Sequence, residues 1–309
     1  MTFLFLLKIV FVMGQTSFPD FYPDDITRLL YDWEVAPPEK KRFLLKLIAS
    51  RIPWQIQLES ALDEVKDPYL RVQARNLKSE ITRHRLRHSF FKLTLRGNTN
   101  HYKDLEEMAV QLSSIGFPDQ NYAEIKHELD RIALRVSELY DDHSGYLTDE
   151  LKVQILCQVL FQEEGFVGNI QNYNDPGNSY LFQVIKSRLG IPISLSVVYL
   201  LVGQRLGLPL YGTNLPLHFL LQYESEGYFT YIDPFHGGVL LDKFTCEKFL
   251  EANGYSNSPK YFTKASTLSM IKRMCRNLIH IYRDNQTKEM ENIIKDHLQI
   301  LDSKSTHVE

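Results

Sequence analysis

The sequence has little cysteine. Its 309 residues include only Cys157, Cys246 and Cys275, which are far apart and form no C-x-x-C pair. An odd, sparse set of this kind argues against a disulfide framework and fits the reducing cytoplasm. We therefore expect a cytoplasmic protein whose stability comes from a packed core.

An excess of charge of one sign is also missing. The chain has 35 Lys+Arg and 38 Asp+Glu, which leaves a formal charge of −3. So small a charge gives no reason to expect nucleic acid as the main partner. With 44% hydrophobic and 24% charged residues, the composition is that of a soluble globular protein and argues against disorder. The length suits one large domain or two modest ones.

No apolar run is long enough to cross a membrane. The stretch Phe3–Met13 is interrupted by Lys8 and falls short of the about 20 residues that span a bilayer. A secretion signal carries its positive charge before the apolar run, whereas here the charge lies within it. A weak secretion signal and a true start at Met13 both stay open, and we expect no stable membrane insertion.

Residues 1–96 are expected to form a helical region. Asp67–Leu77 resembles the second half of a HEAT-type helical hairpin, but a solenoid needs about three such units and only one is visible. His84 and His88 have the i, i+4 spacing that could hold a metal ion. Because no third ligand is evident, a solvated basic face is the simpler interpretation.

Residues 97–255 carry the patterns of a mixed domain. Gly165–Leu181 is rich in Gly, Asn and Pro, and a loop of this length is often functional. A helix expected over Ser194–Leu206 has no polar face, which is typical of a helix buried in the middle of its domain. His218–Tyr223 and Tyr228–Asp233 are aromatic-rich strand patterns separated by a turn signal. The sequence thus predicts helices packed around a β-hairpin.

Residues 256–309 return to helical periodicity. Two amphipathic patterns meet near Asp284–Thr287, which predicts a helical hairpin of tetratricopeptide-like type. Cys275 falls on the buried stripe of the first helix and is expected to be a small core residue.

The hairpin pattern places two chemically useful side chains together. If residues 224–227 form the loop, Tyr223 pairs with Tyr228 and His218 lies directly opposite Asp233. A carboxylate there would fix the tautomer of the imidazole and leave its other nitrogen free as a base. The inference depends on the register, since a slip of one residue would separate the two side chains.

A nucleophile for this pair would lie best at the start of the buried helix, where the helix dipole favours negative charge. Ser194 and Ser196 occupy that region. Ser194 is equally suited to cap the helix, so capping and nucleophilic roles both stay open.

Several motifs occur in the same order as in a known family. The run from Gly165 to Leu210, the following HFLLQY and the later IDPFHGG resemble the SirB-type branch of the transglutaminase-like superfamily. The resemblance covers roughly residues 105–250, and the C-terminal helices fit the helical tail of bacterial members. It implies an α+β fold with a papain-like core, an antiparallel sheet and a buried central helix, flanked by helical layers.

The resemblance also implies functional roles and reveals a departure from the parent superfamily. His218 and Asp233 match the last two members of a Cys-His-Asp triad, but no cysteine lies at the helix start. The resemblance implies that this replacement is usual in the SirB-type branch. Leu217 stands where many members have glycine. Neither Cys157, within an amphipathic helix, nor Cys246, after Asp233, is placed to serve as the nucleophile.

Two hypotheses of function follow. The first is a non-catalytic module without cofactor, which binds a protein or peptide partner. Its cleft keeps His218, Asp233 and the loop Gly165–Leu181, with Asn169, Asn178 and His236 as binding residues. The second is a hydrolase or acyltransferase with Ser194 as nucleophile, His218 as base and Asp233 as orienting group. A metal site using His218 and His236 is a more distant reading, and we assign no metal from the sequence.

Overall fold

The computed structural model describes residues 23–49, 52–96, 102–118, 120–143 and 145–303. The apolar stretch Phe3–Met13 and the choice of start therefore lie outside the described residues. The chain divides into two compact units, Met1–Ser89 and Phe90–Glu309. In the described part of the chain, every helix lacks either the length or the hydrophobicity needed to cross a bilayer.

The first unit is helical. Its helices are α1 (Pro23–Val35), α2 (Pro38–Ala49), α3 (Ile52–Asp63) and the larger part of α4 (Pro68–Arg96), which continues past Ser89. Three of them begin at a proline, a residue that suits the first turn because its missing N–H has no partner there anyway. Leucine and isoleucine side chains from all four helices, together with Trp33, form the core of this unit.

The second unit combines helices with a five-stranded sheet. Its helices are α5 (Leu105–Gly116), α6 (Tyr122–Asp142), α7 (Asp149–Cys157), α8 (Leu181–Ser187), α9 (Pro192–Arg205), α10 (Lys243–Ala252), α11 (Thr267–Asp284) and α12 (Lys288–Asp302). Its strands are β1 (Val167–Gly168), β2 (Leu189–Gly190), β3 (Leu210–Thr213), β4 (Leu220–Glu224), β5 (Phe229–Asp233), β6 (Val239–Leu241) and β7 (Lys264–Ala265).

The main sheet has the order β6-β5-β4-β3-β7 and is antiparallel throughout, whereas β1 and β2 form a separate parallel pair. Helix α9 contacts α6 and the strands β3 and β4, and nearly all of its side chains are buried. The expected α+β fold with an antiparallel sheet and a buried central helix is thus confirmed.

Helix α9 begins earlier than predicted, and helix α7 gives way to a different helical type. Helix α9 begins at Pro192, with Ile191 as the capping residue, so Ser194 lies inside the first turn and not at the start. Helix α7 ends at Cys157, and a π-helical turn over Gln158–Glu163 follows it directly. The C-terminal hairpin forms as two helices joined at 285–287, and its likeness to a tetratricopeptide unit stays a prediction.

The register predicted for the hairpin is wrong by two residues. Leu221 pairs with Ile232 and Glu224 with Phe229, so the loop is residues 225–228. Ser225 and Tyr228 close that loop with hydrogen bonds between them, which extends β4 by one residue. An even shift keeps each side chain on its original face of the sheet, because side chains alternate with a period of two.

Candidate functional site

His218 and Asp233 are in direct contact although they are not paired across the strands. His218 lies just before β4 and Asp233 ends β5, and His218 Nε2 is 2.8 Å from Asp233 Oδ2. Since the carboxylate oxygen accepts, His218 Nε2 carries a proton and donates it to Asp233. Among the described residues, Nδ1 has no hydrogen-bond partner and is free to face a ligand.

Asp233 is held by the turn that follows it. Its Oδ1 accepts the backbone N–H groups of Phe235 (3.1 Å) and His236 (3.3 Å), which caps the short 3₁₀ turn Pro234–His236. The carboxylate is buried, and capping leaves its second oxygen directed toward the imidazoles. The local sequence Asp-Pro-Phe-His therefore fixes the orientation of the acid.

His236 contacts the same carboxylate oxygen. Its Nδ1 is 2.8 Å from Asp233 Oδ2, so the two imidazoles converge on one atom. The side chain of His218 is 13% exposed, whereas that of His236 is 59% exposed. We refer to His218, Asp233 and His236 as the histidine site.

The two imidazoles govern the ionisation of the acid. Burial by itself would raise the pKa of Asp233, but the hydrogen bonds and positive charge of His218 and His236 outweigh burial and hold the pKa below its usual value. Asp233 is therefore ionised at neutral pH and is available as an acceptor or a ligand.

A charged side chain from helix α11 braces the loop that carries His218. The guanidinium of Arg273 donates to Asn214 Oδ1 (2.7 Å), Leu215 O (3.0 Å) and His218 O (2.8 Å). It also lies over the ring of Phe219, 5.4 Å from the ring centroid. The planar guanidinium suits this set of divergent acceptors because its N–H groups have fixed directions.

Leu217 has a strained backbone. Its φ is +63°, in the left-handed region, and its side chain is exposed. A Cβ in this conformation meets the following carbonyl, at a cost of roughly 1–2 kcal/mol, which glycine avoids. The resemblance noted above implies glycine at this position in many relatives, and the backbone geometry gives the physical reason.

We therefore expect Leu217→Gly to stabilise the protein. Glycine relieves the backbone strain but also makes the unfolded chain more flexible, which disfavours folding. The first effect is larger, so the free energy of unfolding should rise by about 0.5–1 kcal/mol. The measurement is the free energy of unfolding in urea. Leu217→Ala serves as the control because it shortens the side chain but keeps the Cβ, and an equal gain in that variant would contradict the explanation.

The loop Gly165–Leu181, called here the asparagine-rich loop, is held by its own side chains. Asn178 is buried, and its amide donates to the backbone oxygens of Asn172 (2.7 Å) and Tyr173 (3.1 Å). Asn169 donates to Asn178 Oδ1 (3.0 Å) and accepts the N–H of Asn172 (3.1 Å). Both predicted binding residues thus fix the loop conformation, and Tyr173, which they position, packs edge-on against Phe235 at 5.9 Å.

The hydroxyl groups at the start of helix α9 are used within the fold. Ser194 is 1% exposed, accepts from Ile191 N (3.0 Å) and donates to Asn178 O (2.5 Å), with Ile191 O nearby (3.1 Å). Ser196 is buried and donates to Pro192 O (2.8 Å). Neither serine makes a hydrogen bond with His218 among the described residues.

The sequence reasoning missed Arg273, Phe235 and Phe249. The rings of Phe235 and Phe249 lie 6.4 Å and 6.2 Å from that of His218. Arg273 and Phe249 are some 55 and 31 residues from His218 along the chain, too far for a local pattern to connect them. Only Phe235, next to the predicted turn, carried a sequence signal.

A family model of the transglutaminase-like superfamily matches residues 123–276, about half of the chain. The chain is 47% identical over 92 residues to a UPF0162 protein of Xylella fastidiosa (strain Temecula1), which covers 30% of this chain and 33% of that protein. It is 32% identical over 162 residues to F-box only protein 21 of Mus musculus, and the match covers 49% of this chain and 25% of that protein. It is 31% identical over 147 residues to protein SirB1 of Salmonella typhimurium, and the match covers 47% of this chain and 52% of that protein.

The chain therefore matches only about a quarter to a half of the length of these relatives. No solved structure matches the chain. The matched residues 123–276 contain the histidine site, the asparagine-rich loop and Arg273.

Proposed function

This chain belongs to the SirB-type family of the transglutaminase-like superfamily, and from that premise we propose that it is a non-catalytic module that binds a protein or peptide segment beside the histidine site. It keeps the imidazole and carboxylate of the superfamily's triad without its nucleophilic cysteine. The fold would then serve recognition, since a fold often outlives its original chemistry.

The observation that carries this proposal is the bonding of Ser194. A hydroxyl has one proton to donate, and Ser194 donates its proton to the backbone oxygen of Asn178 in the asparagine-rich loop. A nucleophilic serine must instead direct its proton to the base, within hydrogen-bond reach. Activation would require Ser194 to break its contacts with Asn178 and Ile191, which hold the loop against the helix.

The cysteines offer no substitute. Burial raises the pKa of the Cys157, Cys246 and Cys275 thiols to about 12 in each case. A thiol reacts as its thiolate, and at such pKa values almost none is present at neutral pH. The described chain thus supports a binding role better than thiol chemistry.

Exposed apolar side chains border the histidine site and suit a peptide ligand. Leu217 adjoins His218, Phe249 packs near its ring, and Tyr173 packs against Phe235, and all three are exposed. Exposed apolar and aromatic side chains around a recessed polar group are typical of binding sites. A peptide could cover them while a polar group of its own meets Nδ1 of His218.

Two measurements on the full chain test the proposal. A fluorophosphonate probe should form no adduct detectable by intact mass. Peptides selected from a displayed random library on the wild type should bind Phe249→Asp at least about tenfold more weakly. Tyr146→Asp is the matched control, since Tyr146 is exposed and lies outside the site.

The hydrolase alternative makes the opposite prediction. It is favoured by the His218–Asp233 contact, which orients a base. A fluorophosphonate adduct that disappears in Ser194→Ala would establish it and would refute the non-catalytic role. A library that yields no peptide sensitive to Phe249→Asp would refute binding at this site.

A further inference from the structure

We propose that the histidine site binds a divalent transition-metal ion of the zinc class. The three candidate ligand atoms are His218 Nε2, Asp233 Oδ2 and His236 Nδ1, and all lie within 4.8 Å of one another. Within the described part of the chain, no other group of three histidine, cysteine or acidic side chains is arranged in this way. The inference concerns the metal itself and does not depend on the proposed peptide ligand.

The distances are close to those of a coordinated ion. Ligands about 2.0–2.2 Å from a tetrahedral zinc ion lie about 3.4 Å from one another. Each imidazole nitrogen is 2.8 Å from Asp233 Oδ2. An ion would displace the proton of each of these nitrogens to the opposite ring nitrogen or to water, and would require each nitrogen–oxygen pair to separate by about 0.6 Å. Shifts of this size are within the reach of side-chain rotation.

The surroundings fix one ligand and the backbone of a second. Asp233 Oδ1 accepts two backbone N–H groups, and hydrogen bonds to a ligating carboxylate orient it and strengthen metal binding. Arg273 holds the backbone of His218 through its carbonyl oxygen. The third ligand, His236, is largely exposed on a short turn, so it can close over an ion that enters from solvent.

The donor set selects the class of ion. Two imidazoles and one carboxylate suit zinc and its first-row neighbours, whereas magnesium and calcium require mainly oxygen ligands. Three protein ligands leave at least one coordination position open, which water or a donor atom of a bound molecule would fill. An ion here would thus add a recognition element to the site.

Calorimetric titration of zinc chloride into the chelator-treated full chain tests the proposal. We expect one site in the wild type and at least tenfold weaker binding in His236→Ala. His127→Ala is the matched control, because His127 is also exposed but lies outside the site, and its affinity should be unchanged. Magnesium chloride should give no binding at the same concentrations.

His236 is suited to this test because its exposed side chain can be removed without opening the core, and circular dichroism checks that the variant is folded. Cobalt(II) provides a second readout, since its visible absorption reports coordination by the protein. Absence of zinc binding to the wild type, or equal affinities in the wild type and His236→Ala, would overturn the proposal. Neither of these outcomes bears on the proposed binding role, which the peptide selection and the fluorophosphonate labelling test independently.

Discussion

Arg273→Ala is expected to lower the free energy of unfolding by about 3 kcal/mol. The substitution removes three charge-assisted hydrogen bonds. It leaves the carbonyl oxygen of His218 without this donor, and that of Leu215 with only the N–H of His218 at 3.3 Å. Hydrogen bonds to a charged group contribute about 1.5–3 kcal/mol each, but bonds that share one side chain are not additive. The lost packing on Phe219 adds to the effect.

Urea unfolding of the wild type and the variant measures this loss. Arg276→Ala is the control from the same helix, since the side chain of Arg276 is exposed and reaches its acidic partner only at 4.0 Å. We expect a change of less than about 0.5 kcal/mol there. Arg273→Lys should lower the free energy of unfolding by an intermediate amount. Its ammonium group keeps the charge but lacks the planar fork of N–H groups that reaches all three acceptors. A loss below about 1 kcal/mol in Arg273→Ala would contradict the bracing role.

The contact of Arg273 links the C-terminal helices to the site. Helix α11 lies in the predicted C-terminal region 256–309. Its residue Arg273 nevertheless holds the loop before β4 that carries His218, in the predicted central domain 97–255. The domain match extends to residue 276 and includes Arg273. The boundaries at residues 96 and 255 stay predictions, but His218 depends on a side chain from beyond the second of them.

The His218–Asp233 contact was predictable from the sequence, although the register used to predict it was wrong. Successive side chains of a strand point to opposite faces of the sheet, so a register error of two residues leaves every side chain on its predicted face. Diagonal neighbours two positions apart remain within reach of a side chain as long as histidine. The carboxylate then bends toward the imidazole because the Pro234–His236 turn orients it. An error of one residue would have destroyed the prediction.

Other features of the site could not be predicted from sequence patterns. The hydroxyl of Ser194 bonds to Asn178, which is 16 residues away, and this contact exists only once the loop has folded onto helix α9. The π-helical turn after Cys157 has no sequence signature comparable to that of an amphipathic helix. Long-range polar contacts of this kind depend on tertiary packing, whereas periodicity reports only local structure.

Asp233→Asn should also destabilise the protein, by about 2 kcal/mol at pH 7. The asparagine oxygen can still accept the N–H groups of Phe235 and His236, but an amide NH₂ then faces two imidazole nitrogens that now donate to the carboxylate. The charge that strengthens these bonds is lost, and at least one imidazole must change its tautomer or its partner.

The effect of this substitution depends on pH in a defined direction. Because the folded-state pKa of Asp233 lies below its unfolded value of 3.8, the carboxylate contributes stability that is fully present above pH 3.8. That contribution is lost as the pH falls through the folded-state pKa. The difference in unfolding free energy between the wild type and Asp233→Asn should therefore shrink between pH 5 and pH 3.

Urea unfolding of both proteins at pH 7, 5, 4 and 3 checks this prediction. Asp296→Asn provides the matched control, since Asp296 is exposed on helix α12 and should change stability by less than about 0.5 kcal/mol at every pH. A difference for Asp233→Asn that grows toward pH 3 would mean that the folded protein favours the protonated acid. The two imidazoles would then not be the groups that hold Asp233 ionised, and the electrostatic basis of the histidine site would be wrong.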